Sequence, residues 1–432
     1  MKRSTFLKLA IASAVAVPTL SACGGSKSSS SGGAAKAEDA EGPVRVWFMQ
    51  DSISEEAQEY LKKTFAEKNS GKELTIEIQQ WDGIQSKLQT ALASDDECPD
   101  VVETGNTQSA AYLAVGAFAD LSDKYESLGG DKLIPSFVKA GEYEGGKYAL
   151  PLYAGARGVF YRKDLFKKAG LAEPKTIDDF HDTIIKLTKA NPDKVKGFSG
   201  IYLAAADIHG VESYLFAAGG DYATESDGKW TAQVSSEASL AALKQIQDIF
   251  KNGTTFANDS QTGQKNFQQN FNNGQVGILI GTGNVGTKID QKLWDADKVG
   301  VMALPSKTAG KVGATFAGGS NISVAAKAQH PNGAASVLDI IFSDEFQKLI
   351  AKNGFTPGNL DYAGEVSGAF GKISQDVIAA SKLTPNTANW ANFISDSTLK
   401  NFYTKIANGS DVAKEAKQFD DQLNKTLNQK ES

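Results

Sequence analysis

From Val44 onward, strand-length apolar runs alternate with amphipathic helical segments, and this rhythm restricts the chain to α/β architecture. Val44-Arg45-Val46-Trp47-Phe48-Met49 reads as a first strand. Ser54 then offers a helix cap, Glu55 and Glu56 suit the first turn, and Ala57, Tyr60, Leu61, Thr64 and Phe65 recur on one helical face. Leu74, Ile76 and Ile78 alternate as a second strand, a helix follows through Lys87–Ala93, and Asp100–Val102 reads as a third strand. Farther on, Thr176-Ile177-Asp178-Asp179 resembles a capping box leading into Phe180, Ile184 and Leu187. Ser239–Phe250 has amphipathic spacing, while Val276–Ile280, Val299–Leu304 and Asn321–Ala325 read as strands. From Ile373 on the pattern is mostly helical, and no short repeat marks a solenoid or propeller.

A chain of 432 residues has room for two domains or one large bilobal unit. The N-terminus obeys different rules from the rest. Lys2, Arg3 and Lys8 give it a positive start, and the apolar run Leu9–Leu20 is of signal-peptide length, too short to span a bilayer. Leu20-Ser21-Ala22-Cys23, followed by Gly24-Gly25, resembles the bacterial lipobox, in which the leader is cut before a cysteine that then carries lipid. A buried core helix is disfavoured by the basic flank and by the polar tract that follows. Residues 1–22 are thus expected to be a signal peptide. Residues 23–43, Ser-, Gly- and Ala-rich, are expected to form a lipidated, flexible tether. No later stretch is apolar enough for a membrane helix; Val276–Ile280 is only strand length.

Loss of residues 1–22 moves the formal charge from −6 to −9, because three basic residues and no acids leave with them. An acidic protein is a poor partner for nucleic acid, whose binding depends on Lys and Arg neutralising phosphates. With Cys23 lipidated, Cys98 stands alone, so neither an intramolecular disulfide nor a thiolate metal cluster is available. The acids of Asp95-Asp96-Glu97-Cys98-Pro99 should raise the thiol pKa and leave Cys98 inert. His181, His209 and His330 are scattered, which argues against a transition-metal site; no cofactor is expected.

Several ordered segments carry a more specific resemblance. They are Leu88–Ala93 with Cys98-Pro99-Asp100-Val101-Val102, then Gly145-Gly146-Lys147-Tyr148-Ala149-Leu150-Pro151, and Val159-Phe160-Tyr161-Arg162-Lys163-Asp164-Leu165-Phe166. Pro174-Lys175-Thr176, Ala217-Ala218-Gly219-Gly220, Phe271-Asn272-Asn273-Gly274-Gln275-Val276-Gly277 and Ser343-Asp344-Glu345-Phe346-Gln347 follow. In this order, behind a lipobox, they resemble the extracellular solute-binding proteins of ABC importers, in the maltose-binding-like carbohydrate branch. The resemblance implies a type II periplasmic-binding-protein-like fold, two α/β lobes joined by hinge crossovers around a ligand cleft. It places residues 44–154 and 318–366 in one lobe and 155–317 with 367–432 in the other. It also implies a monomer, held to the membrane by lipid, that closes on an oligosaccharide and presents it to an ABC permease.

Sugars require flat apolar faces for their C–H surfaces and forked polar groups for adjacent hydroxyls. Trp390, in Pro385-Asn386-Thr387-Ala388-Asn389-Trp390, matches the family's late aromatic platform, against the alternative of a core tryptophan. Trp81 ends a strand ahead of Asp82-Gly83 and is either a second platform or a cap on the core. Trp47 reads as core, and Trp230 and Trp294 as structural. Gln50 and Asp51 follow the first strand, and Asn106, Thr107 and Gln108 follow the third, at carboxyl ends that face the crevice of an open α/β sheet. Arg157 lies after the first crossover between Tyr153 and Tyr161, and reaches either a ligand or an interlobe ion pair; Tyr153 is expected to contact ligand beside it. Asp207 and His209 fall where the maltose-binding pattern has an acid and an aromatic, whereas Asn284 stands where that pattern has tryptophan.

Gly281-Thr282-Gly283-Asn284-Val285-Gly286 satisfies G-x-G-x-x-G after a strand, but the next strand ends at Leu304-Pro305 without a ribose-binding acid. These glycines are expected to free amides near a helix start toward the cleft rather than to bind a dinucleotide. A surface glycoside hydrolase is the competing function, yet no pair of carboxylates is nominated to flank one bond. The same fold binding a polyamine would want more clustered carboxylates than the chain offers.

Overall fold

Ten strands of the described residues build the two principal sheets of this computed structural model, which describes residues 38–259, 267–395 and 397–429. The expected signal peptide, the lipidation site Cys23 and most of the expected tether lie outside them. The strands are β1 (Val44–Met49), β2 (Leu74–Gln79), β3 (Val101–Gly105), β4 (Leu150–Gly155), β5 (Gly158–Arg162), β6 (Ser199–Tyr202), β7 (Val276–Gly281), β8 (Val299–Met302), β9 (Gly318–Val324) and β10 (Thr356–Pro357). The first sheet has the order β10-β4-β9-β3-β1-β2 and the second β8-β5-β7-β6.

In the first sheet β1 pairs in parallel with β2 and β3, as strand–helix–strand units require. β9 then inserts antiparallel between β3 and β4. It can do so because the chain leaves this sheet after β4, builds the second sheet, and returns. Alternation along β1 explains why the sheet is buried on both faces. Val44, Val46 and Phe48 face one apolar layer with Leu61 and Phe65 of the helix Glu55–Lys68, while Trp47 and Met49 face another with Ile84, Leu88 and Leu92. Ser54 caps that helix by accepting the Ala57 N–H. β2 is the edge, and Ile78, which alternation alone would bury, is 38% exposed.

The second sheet has its own core. Ile278 and Ile280 of β7 pack with Phe180, Ile184 and Leu187 of the helix Ile177–Ala190, while Leu279 faces a layer with Phe160, Phe271 and Phe370. Thr176 starts the helix with a complete capping box: its hydroxyl oxygen accepts the Asp179 N–H and the Asp179 carboxylate accepts the Thr176 N–H. The late helices Thr398–Ala407 and Val412–Leu427 return to this core through Leu399, Tyr403, Phe419 and Leu423.

The fold is therefore bilobal. The chain crosses between sheets at residues 156–157, again between β8 and β9, and after β10. No helix of the described residues is long and apolar enough to cross a membrane.

Candidate ligand-binding cleft

The carboxyl ends of β1 and β3 form one rim of the junction between the lobes. After β1 the chain turns sharply, with Asp51 at φ 66° and the Ser52 N–H donating to the Met49 carbonyl. Gln50 anchors the rim in three ways: its carbonyl accepts the Trp81 Nε1–H at 3.2 Å, its Oε1 accepts from Gln80, and its amide donates to Asp51. Trp81 is 39% exposed, and its ring edge lies where a side chain on Gly105 would meet it at 3.6 Å. The indole is thus tethered by its N–H on the rim and keeps part of its surface open to solvent.

Asn106, Thr107 and Gln108 follow β3 beside this indole. Asn106 is buried and its polar groups serve the hinge: the backbone N–H donates to the Gly319 carbonyl and Nδ2 donates to the Ala317 carbonyl. Thr107 and Gln108 are half-buried, and Gln108 Oε1 is shielded from solvent without a hydrogen-bond partner among the described residues.

Beneath the rim lies a residue that the sequence reading passed over. Glu103, on β3, is fully buried; its Oε2 accepts the Met49 N–H at 2.8 Å and its Oε1 accepts the Ser52 and Tyr153 hydroxyls at 2.7 and 3.1 Å. Ser320 of β9 donates to the Tyr153 hydroxyl in turn. Burial pushes the Glu103 carboxyl above the usual range, against the opposing pull of these donors. Tyr153, expected to touch ligand, is only 5% exposed, with its hydroxyl committed to this network and its ring stacked on Phe355 at 4.2 Å. It supports the rim from below. The signal for Glu103 was present as an acid inside the apolar run Val101-Val102-Glu103.

The opposite wall comes from the crossovers and the second lobe. Arg157 donates its backbone N–H to Thr315, and its guanidinium lies 5.8 Å from the centre of the Phe316 ring. His209 stacks on the same ring at 4.2 Å with the two planes nearly parallel, and its Nδ1 pairs with Glu212. Asp207 caps the helix Ile208–Ala217, its Oδ1 accepting the Gly210 N–H. Burial pushes the Asp207 carboxyl up, and the charge of Arg157 offsets part of that; burial likewise pulls Arg157 down while Asp207 and Glu212 oppose it.

Asn284 joins the two walls. It is 8% exposed, its Oδ1 accepts the Thr282 hydroxyl, and its Nδ2 donates to the Asp51 carbonyl at 3.4 Å. The three glycines of the G-x-G-x-x-G stretch serve close packing: added side chains would meet Val285 at 2.7 Å from Gly281, the Gly354 carbonyl at 2.0 Å from Gly283, and Phe160 at 3.0 Å from Gly286. The helix they open spans only Gly283–Gly286, wedged against the other lobe.

The structure thus brings Gln50, Asp51, Trp81, Thr107 and Gln108 to one rim and Arg157, Asp207, His209 and Asn284 to the facing wall. Trp390 is elsewhere. Its ring is 0% exposed and packs on Tyr222 at 5.1 Å and Phe393 at 6.2 Å within the second core. A ring with no accessible face offers a sugar no surface, so the expected platform role is corrected to a core role. The polar residues around it in sequence misled because Asn389 is turned outward to the Gln429 carbonyl.

No group of three or more metal-binding side chains forms among the described residues, and each histidine instead has its own carboxylate: Asp248 for His181, Glu212 for His209 and Asp100 for His330.

A family model described as bacterial extracellular solute-binding protein matches residues 50–348. The chain belongs to this family. A relative in Streptomyces coelicolor, named diacetylchitobiose binding protein DasA, is 31% identical over 440 residues, covering 100% of both chains. A mannitol-binding protein of Pseudomonas aeruginosa is 25% identical, with 67% of each chain covered. Among solved structures, the GacH receptor of Streptomyces glaucescens, described unliganded and with acarbose, superposes with a TM-score of 0.77 at 21% identity, covering 90% of this chain and 99% of that one. A Listeria monocytogenes substrate-binding protein in complex with cycloalternan gives 0.73 at 21% identity, covering 90% and 99%. At these identities the two structures establish the shared fold of the solute-binding protein.

Proposed function

We propose that this solute-binding protein captures a di- or oligosaccharide between its lobes, without turning it over, and delivers it to the permease of an ABC importer. The observation that carries this reading is Trp81, a half-exposed indole fixed on the cleft rim and flanked by the amides of Gln50 and Gln108. Apolar sugar faces stack on such a ring while neighbouring amides take the hydroxyls. The relatives named for diacetylchitobiose and mannitol support a carbohydrate or polyol ligand.

In this reading residues 44–154 and 318–366 move as one lobe and 155–317 with 367–432 as the other, the crossovers acting as hinge. Gln50, Asp51, Thr107, Gln108, Arg157, Asp207, His209 and Asn284 supply polar contacts to the ligand, and Asn106 and Tyr153 shape the cleft beneath them. Lipid on Cys23 holds the monomeric carrier at the extracytoplasmic face of the membrane, within reach of the permease.

Calorimetric titration with a panel of neutral di- and oligosaccharides tests the reading, with tryptophan fluorescence as a second readout. Micromolar or tighter binding of at least one sugar is expected. A panel with no binder overturns the carbohydrate assignment, and hydrolysis products after incubation overturn the binding-only role. Replacing Cys23 with Ser should release the protein from the membrane fraction with ligand affinity unchanged.

A further inference from the structure

Arg157 occupies an unusual position for a charged residue. It is partly buried in the first crossover, between Gly155, Ala156 and Gly158, yet its guanidinium has no hydrogen-bond or ion-pair partner among the described residues. Its hydrogen-bonding contact is made by the backbone N–H, and its guanidinium carbon sits over the Phe316 ring, 5.8 Å from the ring centre. Asp207 and Glu212 are near enough to act on its charge without pairing with it, and Glu212 is already engaged by His209. Asp207 spends Oδ1 on its helix cap, and Oδ2 has no partner among the described residues. A forked donor and an acceptor therefore lie at the same junction, separated rather than joined, beside the stacked rings of Phe316 and His209.

A single substituent that both accepts and donates fits between them. A partly desolvated guanidinium favours a carbonyl or anionic oxygen and repels a cation, because Coulomb interactions strengthen where water is thin. We propose that Arg157 and Asp207 form a subsite for the acetamido group of an N-acetylated amino sugar, the carbonyl oxygen accepting from Arg157 and the amide N–H donating to Asp207. Asp207 by itself would attract a protonated amine at that position, and the Arg157 charge opposes this attraction, which makes Arg157 the residue that selects the acetylated form over the free amine. This assignment rests on the carbohydrate reading above and adds the substituent and its selector.

The test uses the full-length protein and three disaccharides with the same β-1,4 geometry: N,N′-diacetylchitobiose, its fully deacetylated counterpart, and cellobiose. Affinities are measured at pH 6, where the amines are protonated. The native protein is expected to bind the acetylated sugar at least fiftyfold tighter than either of the others. In Arg157→Gln the preference over the amine should shrink tenfold or more. Arg157→Lys should still reject the amine but lose part of its preference over cellobiose, because a point charge replaces the fork. Circular dichroism and melting temperature establish that each variant is folded; if Arg157→Gln is not, Arg157→Lys with Asp207→Asn decides, and a preference unchanged in both overturns the proposal. Equal affinity of the native protein for the acetylated sugar and cellobiose also overturns it, with the carbohydrate reading intact. Failure of all three sugars, alongside binding of another sugar in the wider panel, overturns the acetamido subsite alone.

Discussion

Lys288 Nζ lies 2.9 Å from Asp51 Oδ1, so an ion pair ties the second lobe to the rim of the first. The same Asp51 presents its carbonyl to Asn284, and Asn353 donates to the neighbouring Ser52 carbonyl. Both charged side chains keep considerable exposure, 34% for Lys288 and 48% for Asp51, so solvent and salt screen the pair. Its contribution to holding the lobes together is about 0.2–1 kcal/mol. Lys288→Met should therefore weaken ligand binding by no more than about fivefold at low ionic strength. In 0.5 M NaCl the native protein and the variant should converge. Calorimetry at two salt concentrations checks this, and a difference that persists in high salt would assign Lys288 a role other than closure.

Glu103 makes a prediction about pH. Its folded-state pKa is raised, chiefly by burial, so folding favours the protonated form. The stability it contributes is complete below the carboxyl's unfolded pKa and is lost as pH rises through the folded value. This is the reverse of the behaviour of an ion-paired carboxylate. Glu103→Gln resembles the protonated form and cannot titrate, so the melting temperature of the native protein relative to the variant should fall as pH is raised from 4 to 8. Scanning fluorimetry across that range decides the matter, and a relative melting temperature that rises with pH contradicts it.

The parts of the fold that rest on local rules were readable in the sequence. The caps at Ser54 and Thr176, the alternation in β1 and the helical face of Phe180, Ile184 and Leu187 all stand in the structure as their spacing implies. The positions of Gln50, Asp51 and Asn106–Gln108 were legible for a related reason, since they directly follow the carboxyl ends of β1 and β3 as the strand pattern implies. What escaped was set by contacts distant in sequence. Trp390 is buried by Tyr222, and nothing near residue 390 encodes that partner. Glu103 gains its meaning from Ser52, Tyr153 and Ser320, which lie on separate segments and meet only because β9 returns between β3 and β4.

Cys98 should behave as a buried structural thiol. It is 5% exposed, and burial first, then the charge of Asp100, pushes its pKa up to about 11. The sequence reading expected inertness from neighbouring acids; the larger cause is desolvation. In the native protein at pH 8, a thiol-specific chromogenic reagent should leave Cys98 unmodified over an hour, and denaturant should make it react at once. Rapid labelling under native conditions would contradict the burial.

The two tryptophans Trp81 and Trp390 separate binding from stability. Trp81 sits on the rim with 39% exposure and belongs to none of the apolar cores, so Trp81→Ala should change the melting temperature far less than a core substitution does. If the ring is the central anchor, the same change should cost about 2 kcal/mol of binding, roughly thirtyfold in Kd. Trp390, fully buried against Tyr222 and Phe393, should show the opposite pattern. Trp390→Ala opens a cavity in the second core and should cost about 3–5 kcal/mol of folding stability. Partial relief comes from its Nε1–H, which is buried without a partner among the described residues, so removing it deletes one unfavourable group along with many favourable contacts. Trp390→Phe keeps most of the ring volume and removes that orphaned donor, and should therefore recover most of the stability lost in the alanine variant. Chemical denaturation and ligand titration on the three variants test the division together. A Trp390→Phe variant that is fully stable but binds sugar tenfold more weakly would return Trp390 to the cleft.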